Sequence, residues 1–272
     1  MTWTTPPVSE RAPDGTAFGV SGPADGPVVA LIHGLGLCRD IWADFIPALA
    51  RRHRVVSYDL YGHGQSAPPP AAASLRVYAD QLAGLLAHIG ADDAAVIGFS
   101  IGGMINRRFA MDYPERTRSL VILNSPHDRG AAAQASVEAR AAQVRDDGPM
   151  ATMEAALLRW FTPGFLANAG EVPDQVRHWR GLVDPESYAQ AAWVLAHGVR
   201  ELIRPDPPIT VPTLVMTSEA DSGSTPAMSR GLAAEIPGAE TCIAPGLQHL
   251  GLMEDAAAFL GPITRFLEGD PQ

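Results

Sequence analysis

Cysteine, positive charge and long apolar runs are scarce in this 272-residue sequence. Its two cysteines, Cys38 and Cys242, are too few for a disulfide framework, and neither lies in a pattern with metal-ligand spacing. No apolar run approaches the roughly 20 residues that span a bilayer, and no basic segment followed by an apolar one opens the chain. We therefore expect a cytoplasmic protein made without a signal peptide, and no metal site.

The charge balance is acidic. Twenty basic residues stand against 30 acidic ones, which gives a formal net charge of −10, and the basic residues form no cluster along the chain. This balance argues against nucleic acid and anionic membranes as partners. Hydrophobic residues make up 46% of the chain, as in globular proteins, and the length suits one large domain with an insertion, as a monomer or a homodimer.

Short apolar runs alternate with helical patterns in the two outer parts of the chain. Runs typical of buried strands occupy 28–32, 54–58, 94–99, 119–123, 212–217 and 239–244. Helical spacing of apolar residues occupies 41–50, 75–89, 104–113, 226–236 and 255–267. Turn signals in the first 27 residues add two antiparallel edge strands. The alternation predicts an α/β fold with a mostly parallel central sheet flanked by helices.

The alternation stops between residues 127 and 204, where only helical patterns occur. Helices are predicted at 131–145, 150–161, 174–182 and 187–203. We interpret 127–204 as a helical insertion into a core domain formed by 1–126 and 205–272. Its aromatic residues either line a substrate pocket or pack among the insertion's own helices; those assigned to a pocket are Trp160, Phe161, Phe165 and Trp193.

Ser100 stands where a predicted strand meets a predicted helix, between Gly98 and Gly102. A residue at such a corner has a strained backbone, and its neighbours two positions away must be small so that strand and helix can approach. The corner exposes the hydroxyl of Ser100, and the N–H of Ile101 at the helix start can stabilise an oxyanion. The pattern therefore indicates a nucleophile, the alternative being a glycine-rich turn with an ordinary serine.

A serine nucleophile needs a base, and the base needs an orienting acid. His249 follows the last predicted strand and Asp221 follows the strand before it, in the chain order expected of a nucleophile-elbow hydrolase. We assign His249 as the base and Asp221 as the acid. Glu219, two residues nearer its strand, is the alternative acid.

The loop after the first buried strand reads His33-Gly34-Leu35-Gly36, and its glycines allow backbone N–H groups to turn toward a ligand. We predict the N–H of Leu35 as the second oxyanion donor and place His33 and Gly34 at the edge of the substrate pocket. His33 is expected to brace the loop rather than act as a base, and His63 to serve in a turn.

These motifs resemble the α/β-hydrolase superfamily over essentially the whole chain. The resemblance is carried by five segments, namely Leu31-Ile32-His33-Gly34, the glycine-punctuated turn 59–66, Gly98-Phe99-Ser100-Ile101-Gly102-Gly103, Ser218-Glu219-Ala220-Asp221 and Gln248-His249. The sequence Gly-Phe-Ser-Ile-Gly-Gly-Met and the following Tyr113-Pro114-Glu115-Arg116 are most similar to 3-oxoadipate enol-lactonases and related carboxylesterases. The helical insertion corresponds to that superfamily's cap. Tyr61 and Ser218 depart from the residues usual there, arginine and glycine.

The resemblance implies a cofactor-independent serine hydrolase that cleaves a carboxylic ester or lactone through an acyl-enzyme. A carbon–carbon bond hydrolase of ring-cleavage products and a perhydrolase use the same triad and stay open as alternatives. A non-catalytic small-molecule binding protein or receptor is an alternative of another class. Serine at position 100 argues against epoxide hydrolases and haloalkane dehalogenases, which carry aspartate there. An anionic lactone would need basic residues near the pocket mouth, for which the candidates are Arg39, Arg129, Arg159 and Arg204.

Overall fold

A computed structural model describes residues 9–269, which contain one eight-stranded sheet. The strands are β1 Glu10–Arg11, β2 Ala17–Ser21, β3 Val28–Ile32, β4 Arg54–Tyr58, β5 Ala94–Phe99, β6 Thr117–Leu123, β7 Thr213–Ser218 and β8 Glu240–Ala244. Their order is β1-β2-β4-β3-β5-β6-β7-β8. Strand β2 pairs antiparallel with β1 and β4, and every other pairing is parallel. The predicted mostly parallel sheet is confirmed.

Eleven α-helices occur in the described part of the chain. They are α1 Ile46–Leu49, α2 Leu75–His88, α3 Ile101–Asp112, α4 Gly130–Asp147, α5 Met153–Trp160, α6 Pro163–Leu166, α7 Val172–Gly181, α8 Pro185–His197, α9 Pro226–Ala234, α10 Gly251–Glu254 and α11 Ala256–Glu268. None of them combines the length and apolar character that crossing a membrane requires.

Three predicted helices differ from the observed ones. The expected helix 150–161 is a 3₁₀ segment, Pro149–Thr152, followed by α5. The expected helix 41–50 is a 3₁₀ turn, Arg39–Trp42, followed by the single turn α1. Pro47 accounts for the break, because it has no N–H to continue a helix from the preceding turn and is tolerated only in a helix's first turn. The expected helix 187–203 is α8 followed by a 3₁₀ segment, Gly198–Leu202.

The sheet is buried on both faces. Alternate residues of β3 divide between two apolar clusters: Ile32 packs in one that includes residues of α2 and α3, and Leu31 packs in the other with residues of α11. Burial on both sides explains why the parallel strands appear in the sequence as continuous apolar runs.

Helices α4 to α8 occupy the sequence between β6 and β7. Helix α4 packs on α8 through a small cluster that includes Ala141, Val144 and Tyr188. Other residues of this segment, such as Ala191 and Phe161, belong to the two large clusters beside the sheet. The segment is helical, as expected, whereas its division from the core as a cap at residues 127 and 204 stays a prediction.

The corner between β5 and α3 is closely packed. A Cβ added to Gly98 would lie 2.1 Å from the carbonyl oxygen of Gly102, and one added to Gly102 would lie 2.4 Å from the carbonyl oxygen of Ile32. Real Cβ atoms do not approach backbone oxygens so closely, so glycine is needed at both positions. Between them Ser100 has φ 57° and ψ −115°, a conformation that residues with side chains rarely adopt.

Replacing Gly98 with alanine is expected to destabilise the protein by about 3 kcal/mol, because the added methyl group meets fixed backbone. Urea denaturation measures this. Gly84→Ala is the matched control, since that helical glycine is exposed and an added Cβ would have no neighbour nearer than 4.0 Å. The control should be more stable than wild type by about 0.5 to 1 kcal/mol. Equal stabilities of Gly98→Ala and wild type would contradict the close contact.

Candidate active site

Ser100 lies at the carboxyl end of β5, directly before the first residue of α3. Its backbone N–H donates to the carbonyl of Leu123 at the end of the neighbouring strand β6, with an N···O distance of 2.9 Å. The residue is only 7% exposed. Its position is therefore fixed by the strand before it, the strand beside it and the helix after it.

The structure brings Ser100, Asp221 and His249 together. In the sequence Asp221 lies 121 positions after Ser100, and His249 lies 28 positions after Asp221. Nε2 of His249 lies 3.1 Å from Oγ of Ser100, and Nδ1 of His249 lies 2.7 Å from Oδ2 of Asp221. Because the carboxylate accepts from Nδ1, that nitrogen carries the ring proton and Nε2 is free to accept the proton of the serine hydroxyl. The three side chains thus form one continuous hydrogen-bonded series, in the order Ser100, His249, Asp221.

The carboxylate of Asp221 is buried and has three further donors. Its Oδ1 accepts from the N–H groups of Gly223 and Ser224, at 2.8 and 2.9 Å, and its Oδ2 accepts from Nδ2 of Asn124 at 2.9 Å. Burial by itself would raise the pKa of Asp221. The attraction of His249 and the hydrogen bonds from His249, Asn124 and Ser224 outweigh burial and hold this pKa below its ordinary value.

Asn124 was not identified from the sequence. It directly follows β6, has φ 46°, is fully buried, and donates to Oγ of Ser218 as well as to Asp221. A polar residue directly after a buried strand, at the same sheet edge as Ser100, was the available signal. Ser218, where a glycine is usual, thus contributes to the support of the acid loop.

Glu219, the alternative acid, lies elsewhere. Its Oε2 accepts from the N–H of Gly246 at 2.8 Å, and the residue is exposed. In the described hydrogen bonds and ion pairs, Asp221 is the one acidic residue that contacts His249.

The loop 33–36 is braced by His33. Its Nδ1–H donates to the carbonyl of Gly34 at 2.7 Å, and its Nε2 accepts from the N–H of Leu60 at 2.9 Å. His33 is fully buried, as expected of a brace, and it is not among the residues that line the cavity described below, so its place at the pocket stays a prediction. Burial lowers the pKa of His33 to about 4. Leu35 lines the cavity, and Ile101 is the first residue of α3; their N–H groups as oxyanion donors stay a prediction.

An open cavity lies above Ser100. Its empty space, including the open mouth, measures about 960 Å³. Ser100, Asp221 and His249 line it together with residues of α4, α5, α7 and α8. Within the described residues, no group of three or more His, Cys, Asp or Glu side chains is placed to hold a metal ion.

Comparisons with known proteins decide the family. A family model described as alpha/beta hydrolase fold matches residues 27–149. A protein named "Putative carbamate hydrolase RutD", from Caulobacter sp. (strain K31), is 30% identical over 261 residues, which are 92% of this chain and 94% of that protein. The chain belongs to the α/β-hydrolase fold family.

Two further similarities concern this α/β hydrolase. The 3-oxoadipate enol-lactonase 2 of Acinetobacter baylyi is 29% identical over 209 residues, 76% of each chain. The crystal structure of the enol-lactonase from Burkholderia xenovorans LB400 superposes with a TM-score of 0.85 at 26% identity and covers 96% of this chain and 100% of that one. The resemblance inferred from the motifs is confirmed.

The aromatic residues of the hydrolase's helical segment divide differently from expectation. Trp160 and Gly34 line the cavity, and the ring of Trp160 lies 6.3 Å from that of His249. Phe161 is fully buried and stacks on Phe165, 5.1 Å away, and both pack in the cluster beside the sheet. Trp193 is 50% exposed and stacks on His197. Phe161, Phe165 and Trp193 are not among the residues that line this cavity, and their assignment to a substrate pocket stays a prediction.

The arginines near the cavity also differ from expectation. Arg129 and Arg159 line it, as the sequence analysis suggested, and so do Arg140 and Arg180, which that analysis did not identify. Arg39 is buried beside Asp40, and Arg204 lies beside Glu235, so neither belongs to the cavity lining.

The buried histidines of the hydrolase provide a test. His33 and His63 should both stay neutral at pH 5, because burial lowers their pKa values to about 4 and about 3. Long-range ¹⁵N–¹H spectra of the rings, assigned with His33→Asn and His63→Asn variants, report protonation directly. The pKa of each histidine is lower in the folded state than in the unfolded state, so the unfolded state binds more protons below about pH 6.5. Each histidine therefore lowers the free energy of unfolding as the pH falls, by about 2 kcal/mol at pH 5. Titration of either ring near pH 6.5 would contradict the described burial.

Proposed function

We propose that this α/β hydrolase cleaves a carboxylic ester or lactone through an acyl-enzyme formed on Ser100. The observation that carries the proposal is the continuous hydrogen-bonded series from Oγ of Ser100 through His249 to Asp221, with distances of 3.1 and 2.7 Å. These distances allow proton transfer without rearrangement of the side chains.

In the proposed reaction, Oγ of Ser100 attacks the substrate carbonyl carbon while its proton moves to Nε2 of His249. The carbonyl oxygen becomes an oxyanion, for which the N–H groups of Leu35 and Ile101 are the proposed donors. Collapse of this intermediate breaks the bond to the alcohol oxygen, which takes the proton from His249 as it leaves. Water, deprotonated by His249, then attacks the acyl-enzyme and releases the acid and free Ser100.

Asp221 has the proposed role of orienting the ring and stabilising its charged form. Four donors hold its carboxylate, from His249, Asn124, Gly223 and Ser224, so it cannot rotate away when the ring becomes positive. Its lowered pKa keeps it ionised at neutral pH. A fixed negative charge in a buried site stabilises the imidazolium more than a mobile one in water would.

The relatives support the substrate class. Two of them are named enol-lactonases, and a lactone is an internal ester whose opening uses the same steps as ester cleavage. An identity of 29% or less with these enzymes supports the class of bond rather than a particular lactone.

Substituting Ser100 with alanine should lower kcat/KM for 4-nitrophenyl butyrate by at least about 10³-fold, because the nucleophile is lost. Release of 4-nitrophenolate measures this, and circular dichroism checks that the variant is folded. Ser136→Ala, at an exposed position on α4, is the control and should match wild type. Hydrolysis by folded Ser100→Ala at the wild-type rate would overturn the proposal.

The assignment of the acid has its own pair of variants. Asp221→Asn should lower kcat by about 10³- to 10⁴-fold, because an amide can favour the wrong ring tautomer. Glu219→Gln should leave kcat within about twofold of wild type, since its carboxylate binds an exposed loop. Steady-state kinetics on the same ester compare the two. Loss of activity in Glu219→Gln with retention in Asp221→Asn would transfer the role to Glu219.

A further inference from the structure

Four guanidinium groups line the same cavity as Ser100. They belong to Arg129, directly before α4, and to three residues on helices of the same segment, namely Arg140 on α4, Arg159 on α5 and Arg180 on α7. The chain contains no lysine, carries a formal net charge of −10, and still places these four cations around one small space. The charge of the cavity is therefore opposite to that of the protein.

None of the four makes a described ion pair with a carboxylate. Arg129 donates to the carbonyl of Leu195 and to Gln134, and Arg159 donates to the carbonyl of Ala155 in its own helix. Arg180 donates to Oγ1 of Thr152 at 2.6 Å, and no described hydrogen bond involves the side chain of Arg140. Other arginines do pair; Arg177, for example, contacts both Glu154 and Asp174.

Burial makes unpaired cations costly. Arg180 is 2% exposed, its guanidinium lies 4.8 Å from the ring centre of Tyr188, and its Nε has no acceptor. Burial lowers the pKa of Arg140, Arg159 and Arg180, and the charge of Arg159 adds to this effect on the other two. Partly desolvated like charges of this kind repel one another, and an anion that binds between them relieves both costs.

The acidic groups nearby are already engaged. Asp221 is the acid that lines the cavity, and its carboxylate is held by His249 and three other donors. Glu138, the acid whose charge acts on Arg129, accepts from Gln134 and Arg200. Neither is placed to neutralise Arg140, Arg159 or Arg180.

We propose that the substrate carries a free carboxylate, which binds at Arg140, Arg159 and Arg180 while its ester or lactone carbonyl lies at Ser100. This inference rests on the proposed function. Ser100 and these arginines line the same cavity, whose lining also includes apolar groups such as Leu37, Phe99 and Val144. The cavity thus fits a short carbon skeleton with an acid at one end. Guanidinium binds carboxylate through two parallel hydrogen bonds, which gives the site its selectivity.

The test compares two esters with the same acyl chain length, 4-nitrophenyl hydrogen glutarate and 4-nitrophenyl valerate, after subtraction of spontaneous hydrolysis. Wild type should have a kcat/KM at least about tenfold higher for the anionic ester. This preference, the ratio of the two values, should fall at least about tenfold in Arg140→Gln and in Arg159→Gln. These two arginines are half-buried, whereas Arg180 packs against Tyr188 and Gly36 and is left intact so that the fold is preserved.

Arg145→Gln is the matched control. Arg145 lies on α4, as Arg140 does, but it is exposed and does not line the cavity. Its substitution changes the net charge equally and should leave the preference at the wild-type value. An equal fall in the control would mean that the change in net charge, and no site at Arg140 and Arg159, sets the preference.

Calorimetric binding to the Ser100→Ala variant separates this inference from the proposed function. Glutarate should bind, glutaramide should not, and Arg140→Gln should weaken glutarate binding, whether or not the wild type hydrolyses esters. Ser100-dependent hydrolysis with no preference for the anionic ester would overturn the inference and leave the proposed function in place. If no ester is hydrolysed but glutarate binds and this binding depends on Arg140, the proposed function is overturned and the carboxylate site is kept. Tighter binding of inorganic phosphate than of glutarate would overturn the assignment to a carboxylate.

Discussion

The contact between β5 and α3 is the constraint on which the candidate site depends. The backbone of Gly102 fills the space where a side chain at position 98 would lie. A side chain at position 102 would in turn meet the carbonyl oxygen of Ile32, at the end of β3. The chain can make so tight a corner only if Ser100 adopts a positive φ. Because β5 is central in the sheet, the corner is held on both sides by neighbouring strands, and the serine is fixed at the edge where their loops meet.

Polar groups that follow parallel strands lie at that same edge. They are the backbone N–H of Leu35 after β3, the side chain of Asn124 after β6 and the side chain of Asp221 after β7. The buried carboxylate of Asp221 accepts from His249, and the arginines of the helical segment line the same cavity. Negative charge is thus placed beside the ring that becomes an imidazolium in the proposed mechanism, and positive charge lies where an anionic end of a substrate would bind.

The sheet and the relation between Ser100, Asp221 and His249 follow from local patterns in the sequence. Buried strands give continuous apolar runs, and residues directly after parallel strands share one edge, so order along the chain implies nearness in space. The helical segment offers no such rule. Arg140 and Arg180 are 40 residues apart in the sequence and line the same cavity only because α4 and α7 fold to the same place. Periodicity does not tell which aromatic side chains of a helix face that cavity.

The most direct measurement is to locate the covalent adduct that a fluorophosphonate forms with the protein, by tandem mass spectrometry of its peptides. The account predicts one phosphonylated residue, Ser100, with labelling that is much slower in Asp221→Asn because the base is no longer held in the reactive tautomer. A folded protein that stays unlabelled, or one labelled at a different serine, would contradict the claim that Ser100 is an activated nucleophile.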